Sequence, residues 1–143
     1  AEEGVHKAEA ARQAATLNRD EAARFVTDSQ ALVLVAQVYR QKVLAAIDKR
    51  LWLKTTKQEY AARCLGHLRD SVSAYEALVA LTDKTYINAT DIHTRWNWRD
   101  GLSAFRKDLT MHEQLFAQER DAQAPGSDPA ASTVRVNATE KHH

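Results

Sequence analysis

The fifteen residues from Thr85 to Arg99, TYINATDIHTRWNWR, hold most of the side chains in this sequence whose types and spacing could do chemistry. Tyr86, Trp96 and Trp98 offer aromatic faces of the kind that stack on the apolar faces of sugar rings. Asn88, Asp91, Arg95 and Arg99 stand among them and can hydrogen-bond hydroxyls. Loops held on a rigid scaffold are where such sets collect. Trp52, in RLWLK at another turn of the chain, is a further stacking candidate. Tyr86, Asn88, Asp91, Arg95, Trp96 and Trp52 are therefore the candidate ligand-binding residues. A structural role accounts for the same side chains. Trp98 continues an apolar helical stripe, Tyr86 can seal the end of a bundle, and Asn88 and Asp91 can satisfy turn or cap amides.

Other chemistry finds less support. Neither HExxH nor CxxCH occurs, which removes the main sequence patterns for zinc and covalent haem. A di-iron bundle needs two Glu-x-x-His pairs on core helices, and that spacing occurs only at Glu3 to His6, in the weak N-terminal segment, and at Glu140 to His143, in the terminal tail. His112 lies beside Met111 in an apolar stripe, so a His/Met haem arrangement is one reading and a buried, hydrogen-bonded histidine the other. No glycine-rich phosphate loop or nucleophile elbow is visible. The expectation is a non-catalytic chain without metal or cofactor. Cys64 is the single cysteine, cannot form an internal disulfide, and sits on the apolar side of a helix as an inert thiol would. Asn88 and Asn137 match the N-glycosylation pattern, which matters only in a eukaryotic secretory host.

Long helices must position these residues. Four glycines and two prolines in 143 residues are too few for the turns of a β-sandwich. From Glu2 to Ala15 the chain is alanine-rich and helix-prone but poor in bulky apolar residues, which suits a peripheral helix. Asn18 or Asp20 offers the next helix start. Leu32, Ala36, Tyr39, Val43 and Ala46 then alternate in steps of four and three, broadened by Val35 and Ile47; this spacing predicts the core-facing stripe of a helix that stops near Thr55. Thr56 and Glu59 have capping-box spacing for another helix, whose stripe is Ala61, Leu65, Leu68, Val72, Tyr75 and Val79. Trp98, Leu102, Phe105, Leu109, His112 and Phe116 form the last stripe, interrupted by Gly101. The expected architecture is all-α: an antiparallel three- to four-helix bundle over residues 1–123, with a linker and irregular tail over 124–143 in which TVRV is strand-like. Net charge of +1 gives no electrostatic reason to expect nucleic acid or an anionic membrane, and the basic cluster Lys49, Arg50, Lys54 and Lys57 reads as a solvated helix face. The longest apolar run, ALVLVA, is far short of the ~20 residues that span a bilayer. The opening AEEG reads as a mature form or an excised piece of a longer chain.

Four phrases, EAARFVTDSQALVLVAQVYRQKVLAA, HLRDSVSAYEALVALTDKTY, INATDIHT and WNWRDGLSAFRKDL, together resemble the helical region toward the C-terminus of large secreted bacterial glycoside hydrolases and related polysaccharide-degrading proteins. The resemblance runs from Glu21 to Ala117 and rests on helix-and-turn phrases, not on catalytic signatures. This chain has only Arg95 between Thr94 and Trp96, where that family carries a longer insertion. The resemblance implies an extracytoplasmic, ancillary module linked to a catalytic domain, which binds polysaccharide or oligosaccharide or supports the enzyme. The alternative is a protein-interaction or periplasmic sensor bundle acting through an exposed helical face, that of the first helix above all.

Overall fold

The computed structural model describes residues 2–85 and 98–123. They form four helices and, among the described residues, no strand: α1 (Glu2–Ala14), α2 (Arg19–Thr55), α3 (Gln58–Thr85) and α4 (Trp98–Ala122). The all-α bundle expected from the turn-poor composition is what the chain adopts. The segments 86–97 and 124–143, including the strand-like TVRV and the proposed linker, lie outside the described residues.

α3 is the helix around which the others assemble. Of the expected stripe, Ala61, Leu68, Tyr75 and Val79 are buried and Leu65 and Val72 half-buried, and a second row, Cys64, Ser71, Leu78 and Thr82, is buried beside it. With two rows covered, α3 packs on α2 and α4 together, as a helix with a wide apolar face must. Two apolar layers result. In one, Ala45 and Trp52 of α2 meet Ala61, Cys64 and Leu68 of α3 and Phe116 of α4, with Trp52 and Phe116 edge to face at 4.8 Å between ring centroids. In the other, Val38, Tyr75 and Val79 pack with Trp98, Leu102 and Phe105, and Tyr75 stacks on Phe105 at 4.2 Å. Trp98 is thus a bundle residue, the structural alternative that its stripe position offered.

α2 departs from expectation. Its core face is Val26, Val38, Ala45, Asp48 and Trp52. Leu32 is 70% exposed, Tyr39 67%, and Val43 and Ile47 are also exposed, so the stripe expected to face the core looks outward. The reason is that α2 is apolar on two opposite sides. Val38, Ala45 and Trp52 repeat every seven residues, as do Phe25, Leu32 and Tyr39, and only the first row meets the large cores of α3 and α4.

The turn between α2 and α3 also differs from the capping-box expectation. Thr56 has left-handed backbone angles (φ 54°) and closes α2, donating its amide N–H to the Trp52 carbonyl. Its hydroxyl donates to the Thr55 carbonyl instead of capping α3. Asn18 is left-handed as well (φ 53°) at the start of α2, with no side-chain cap; asparagine tolerates this region far better than a β-branched threonine. Side-chain bonds fix the antiparallel order of α2 and α3: Asp48 with Arg63, Gln41 with His67, and Ser71 donating to the Val38 carbonyl.

Candidate functional site

The glycan-binding set divides. Tyr86, Asn88, Asp91, Arg95 and Trp96 lie outside the described residues. Trp52 does not: it is 5% exposed, clamped edge to face against Phe116, and belongs to the core layer of α2, α3 and α4. A ring enclosed in this way cannot stack on a sugar, so Trp52 is corrected from a candidate ligand-binding residue to a core residue. Its position seven residues beyond Ala45 puts it on the Val38 row, which spacing alone does not distinguish from the outer row.

Flanking the first apolar layer is a polar belt that the stripes did not announce. Asp48, 4% exposed on the core face of α2, accepts hydrogen bonds from Arg63 through Nε at 3.1 Å and through Nη2. Its other oxygen lies 3.5 Å from His67 Nε2, while His67 Nδ1–H donates to Gln41 Oε1 at 2.7 Å. Across the bundle, Lys42 pairs with Asp108. Lys49 Nζ donates to His112 Nε2 at 3.0 Å, and His112 Nδ1–H donates to the Asp108 carbonyl at 2.8 Å. An ammonium facing Nε2 requires that nitrogen to carry a lone pair, which sets the tautomer. Both ring nitrogens of His112 are therefore engaged within the chain. Met111, its imagined partner in a haem site, is exposed on a different side of α4. Among the described residues no group of three or more His, Cys, Asp or Glu side chains is arranged to hold a metal ion.

Cys64 sits in the first apolar layer beside this belt, buried and free. Burial pushes its thiol up to about 11, with Lys49 opposing and Asp48 adding to the shift. A nucleophilic cysteine needs the opposite shift. The acids and bases of the belt are engaged with one another, Asp48 with Arg63 and His67 in one group and Lys42, Asp108, Lys49 and His112 in the other. A groove of about 490 Å³ does open between α2 and α3, lined by Val33, Leu34, Ala77, Ala80 and Leu81 with Gln30 and Lys84 as its polar members. It contains no acid, histidine or hydroxyl to act on a bound molecule.

No family model, curated protein or solved structure matches this chain. Function must therefore be argued from the surface itself. The feature that stands out is the outward row of α2: Phe25, Leu32, Tyr39, Val43 and Ile47, each more than half exposed and all on one side of one helix. Isolated exposed apolar residues are ordinary, but a contiguous apolar row of this length on one helix is the kind of feature that marks a contact surface. None of the described helices is long and apolar enough to cross a membrane.

Proposed function

We propose that this chain is a non-catalytic ancillary module that docks another protein surface through the outward apolar face of α2. The supporting observation is that the row Phe25, Leu32, Tyr39, Val43 and Ile47 faces solvent while α2 has a complete second apolar face for its own core. A helix that needs one face to fold and carries two has the second available for association. The belt around Asp48 and the protonated Cys64 favour a structural part over a catalytic one, because their polar groups are spent on one another. The resemblance to helical regions of secreted polysaccharide-degrading proteins supplies the context: an extracytoplasmic bundle attached to, or working beside, a carbohydrate-active domain.

The test is a photo-cross-linking residue, benzoylphenylalanine, placed at Leu32 or Val43 and compared with the same residue at Lys107 on α4. One discrete protein adduct at the α2 positions, absent at Lys107, is expected. Absence of any adduct at both α2 positions overturns the docking role.

Glycan binding is the second reading, carried by the aromatic and hydrogen-bonding composition of Thr85 to Arg99. It predicts retarded migration in a gel containing the cognate soluble polysaccharide, abolished by Trp96→Ala with helicity unchanged. Equal migration of the two proteins in every polysaccharide gel removes Trp96 from any such site.

A further inference from the structure

We infer that the surface docked on the outer face of α2 is a second copy of the same face, with the two α2 helices antiparallel about a two-fold axis near Tyr39. This rests on the docking role proposed above and names its occupant. Three observations carry it.

The first is the distribution of charge along the row. Its N-terminal end is bordered by the acids Glu21 and Asp28, and its C-terminal end by Arg50 and Lys54, all exposed. Glu21 and Lys54 are about 50 Å apart along one helix at ~1.5 Å per residue. Parallel pairing would set acid beside acid and base beside base. Antiparallel pairing sets the acidic end of each copy beside the basic end of the other, which is how self-complementary two-fold interfaces are built.

The second is a register in which both ends of the row find partners while Leu32 and Val43 meet apolar to apolar on either side of the axis. With Ala36 and Tyr39 at the axis, Leu32 falls opposite Val43, Asp28 opposite Ile47, Phe25 opposite Arg50 and Glu21 opposite Lys54. Small Ala36 beside large Tyr39 lets the two backbones approach where the rings interleave. Arg50 over Phe25 has cation–π chemistry available.

The third is area. At about 150–250 Å² for an aromatic side chain and somewhat less for an aliphatic one, the five exposed side chains add up to roughly 600 Å² per copy. Their polar borders bring this close to the ~800 Å² per partner of a standard interface. The row is long enough to bind its own copy without help from another helix.

The experiment uses the full chain. Sedimentation equilibrium over a wide concentration range should show a monomer–dimer equilibrium that weakens with added salt, because the end charges are screened. Leu32→Glu with Tyr39→Glu should weaken dimerisation by at least roughly 100-fold, since each introduces an unpaired carboxylate into an apolar contact. Circular dichroism should be unchanged, because both residues are exposed in the monomer. Orientation is read by cysteine pairs: Phe25→Cys and Arg50→Cys chains, mixed and oxidised, should give the heterodisulfide and not the two homodisulfides. A strict monomer at all concentrations overturns the inference, and predominant homodisulfides overturn the antiparallel arrangement. If the chain is monomeric while Leu32 photo-cross-links to a different protein, the second-copy inference fails and the docking role stands. No adduct to any protein means both fail.

Discussion

Asp48 and Cys64 show how single residues here are held by surroundings that suppress reactivity. Asp48 is almost wholly enclosed, whereas Arg63, which binds it, keeps its guanidinium largely in water. Removing Asp48 leaves a cation that water can solvate; removing Arg63 leaves a buried carboxylate with only His67 nearby. Arg63→Met should therefore lower the melting temperature more than Asp48→Asn does, and the reverse order in thermal melts would show that the carboxylate is not the costly member. For Cys64, a thiol pKa of about 11 means that at pH 8 only about one folded molecule in a thousand carries the thiolate. Alkylation by iodoacetamide should track the unfolded fraction as denaturant is added, and rapid stoichiometric labelling without denaturant would contradict the burial. The linkage has a defined sign. The folded pKa lies above the ordinary value of 9.0, so the neutral thiol's contribution is complete below pH 9 and is lost as pH rises through about 11. Near neutral pH the thiol leaves stability independent of pH.

α2 explains what could and could not be read from the sequence. The existence of the helices, the stop near Thr55 and the stripes of α3 and α4 all followed from spacing of apolar residues. The facing of α2 did not, because Phe25, Leu32 and Tyr39 repeat as regularly as Val38, Ala45 and Trp52. Periodicity finds a face but cannot choose between two; the choice is made by what α3 and α4 present, here Leu68, Tyr75 and Phe116. The same ambiguity assigned Trp52 to a surface site, since a tryptophan near a turn looks available until its row is identified. The polar belt was hidden because its pairs join different helices, and a single stretch of sequence contains only one partner of each. These facings predict an asymmetry. At concentrations low enough to dissociate any self-association, Leu32→Gln with Val43→Gln should leave the melting temperature nearly unchanged. Val38→Gln alone should cost about 2 kcal/mol, from burying an amide in the Tyr75 layer. Equal losses would mean that both faces are packed. The turn offers a stabilising change: Thr56 is β-branched in the left-handed region, and Thr56→Gly should raise stability by about 1 kcal/mol, a few degrees in the melt. A lower melting temperature would show that the Thr56 hydroxyl matters more than its backbone strain.

At the scale of the whole molecule, the apolar layers bring α3 and α4 together but do not choose among neighbouring registers, because apolar rows repeat along both helices. Ion pairs discriminate. Arg69 with Glu113, Glu76 with Arg106 and Asp83 with Arg99 join the two helices at 2.8, 2.7 and 2.7 Å, and both sets of positions step by seven in opposite directions along the chain. A slip of two turns would bring Arg69 against Arg106, and a slip the other way would bring Glu76 against Glu113. Each pair is substantially exposed, so solvent screening leaves each only a small share of the stability. Its larger effect is to penalise the wrong register, since either slip would leave these six residues one like-charge pair and one opposite-charge pair, Glu76 with Arg99 or Asp83 with Arg106, in place of three opposite-charge pairs. Holding α4 in this register keeps Phe105 on Tyr75 and Phe116 on Trp52, and so holds the core face of α2 inward and its apolar row outward. A charge-reversal cycle tests whether the pairs couple. Glu76→Arg or Arg106→Glu alone should each lower stability by roughly 0.5–1 kcal/mol, whereas the two together should recover most of the loss, leaving a coupling energy of similar size. Chemical denaturation of the four proteins at low salt supplies the measurement, and repeating it in high salt should shrink the coupling through screening. If the losses simply add, the seam charges do not interact and the register must be set by the aromatic contacts alone.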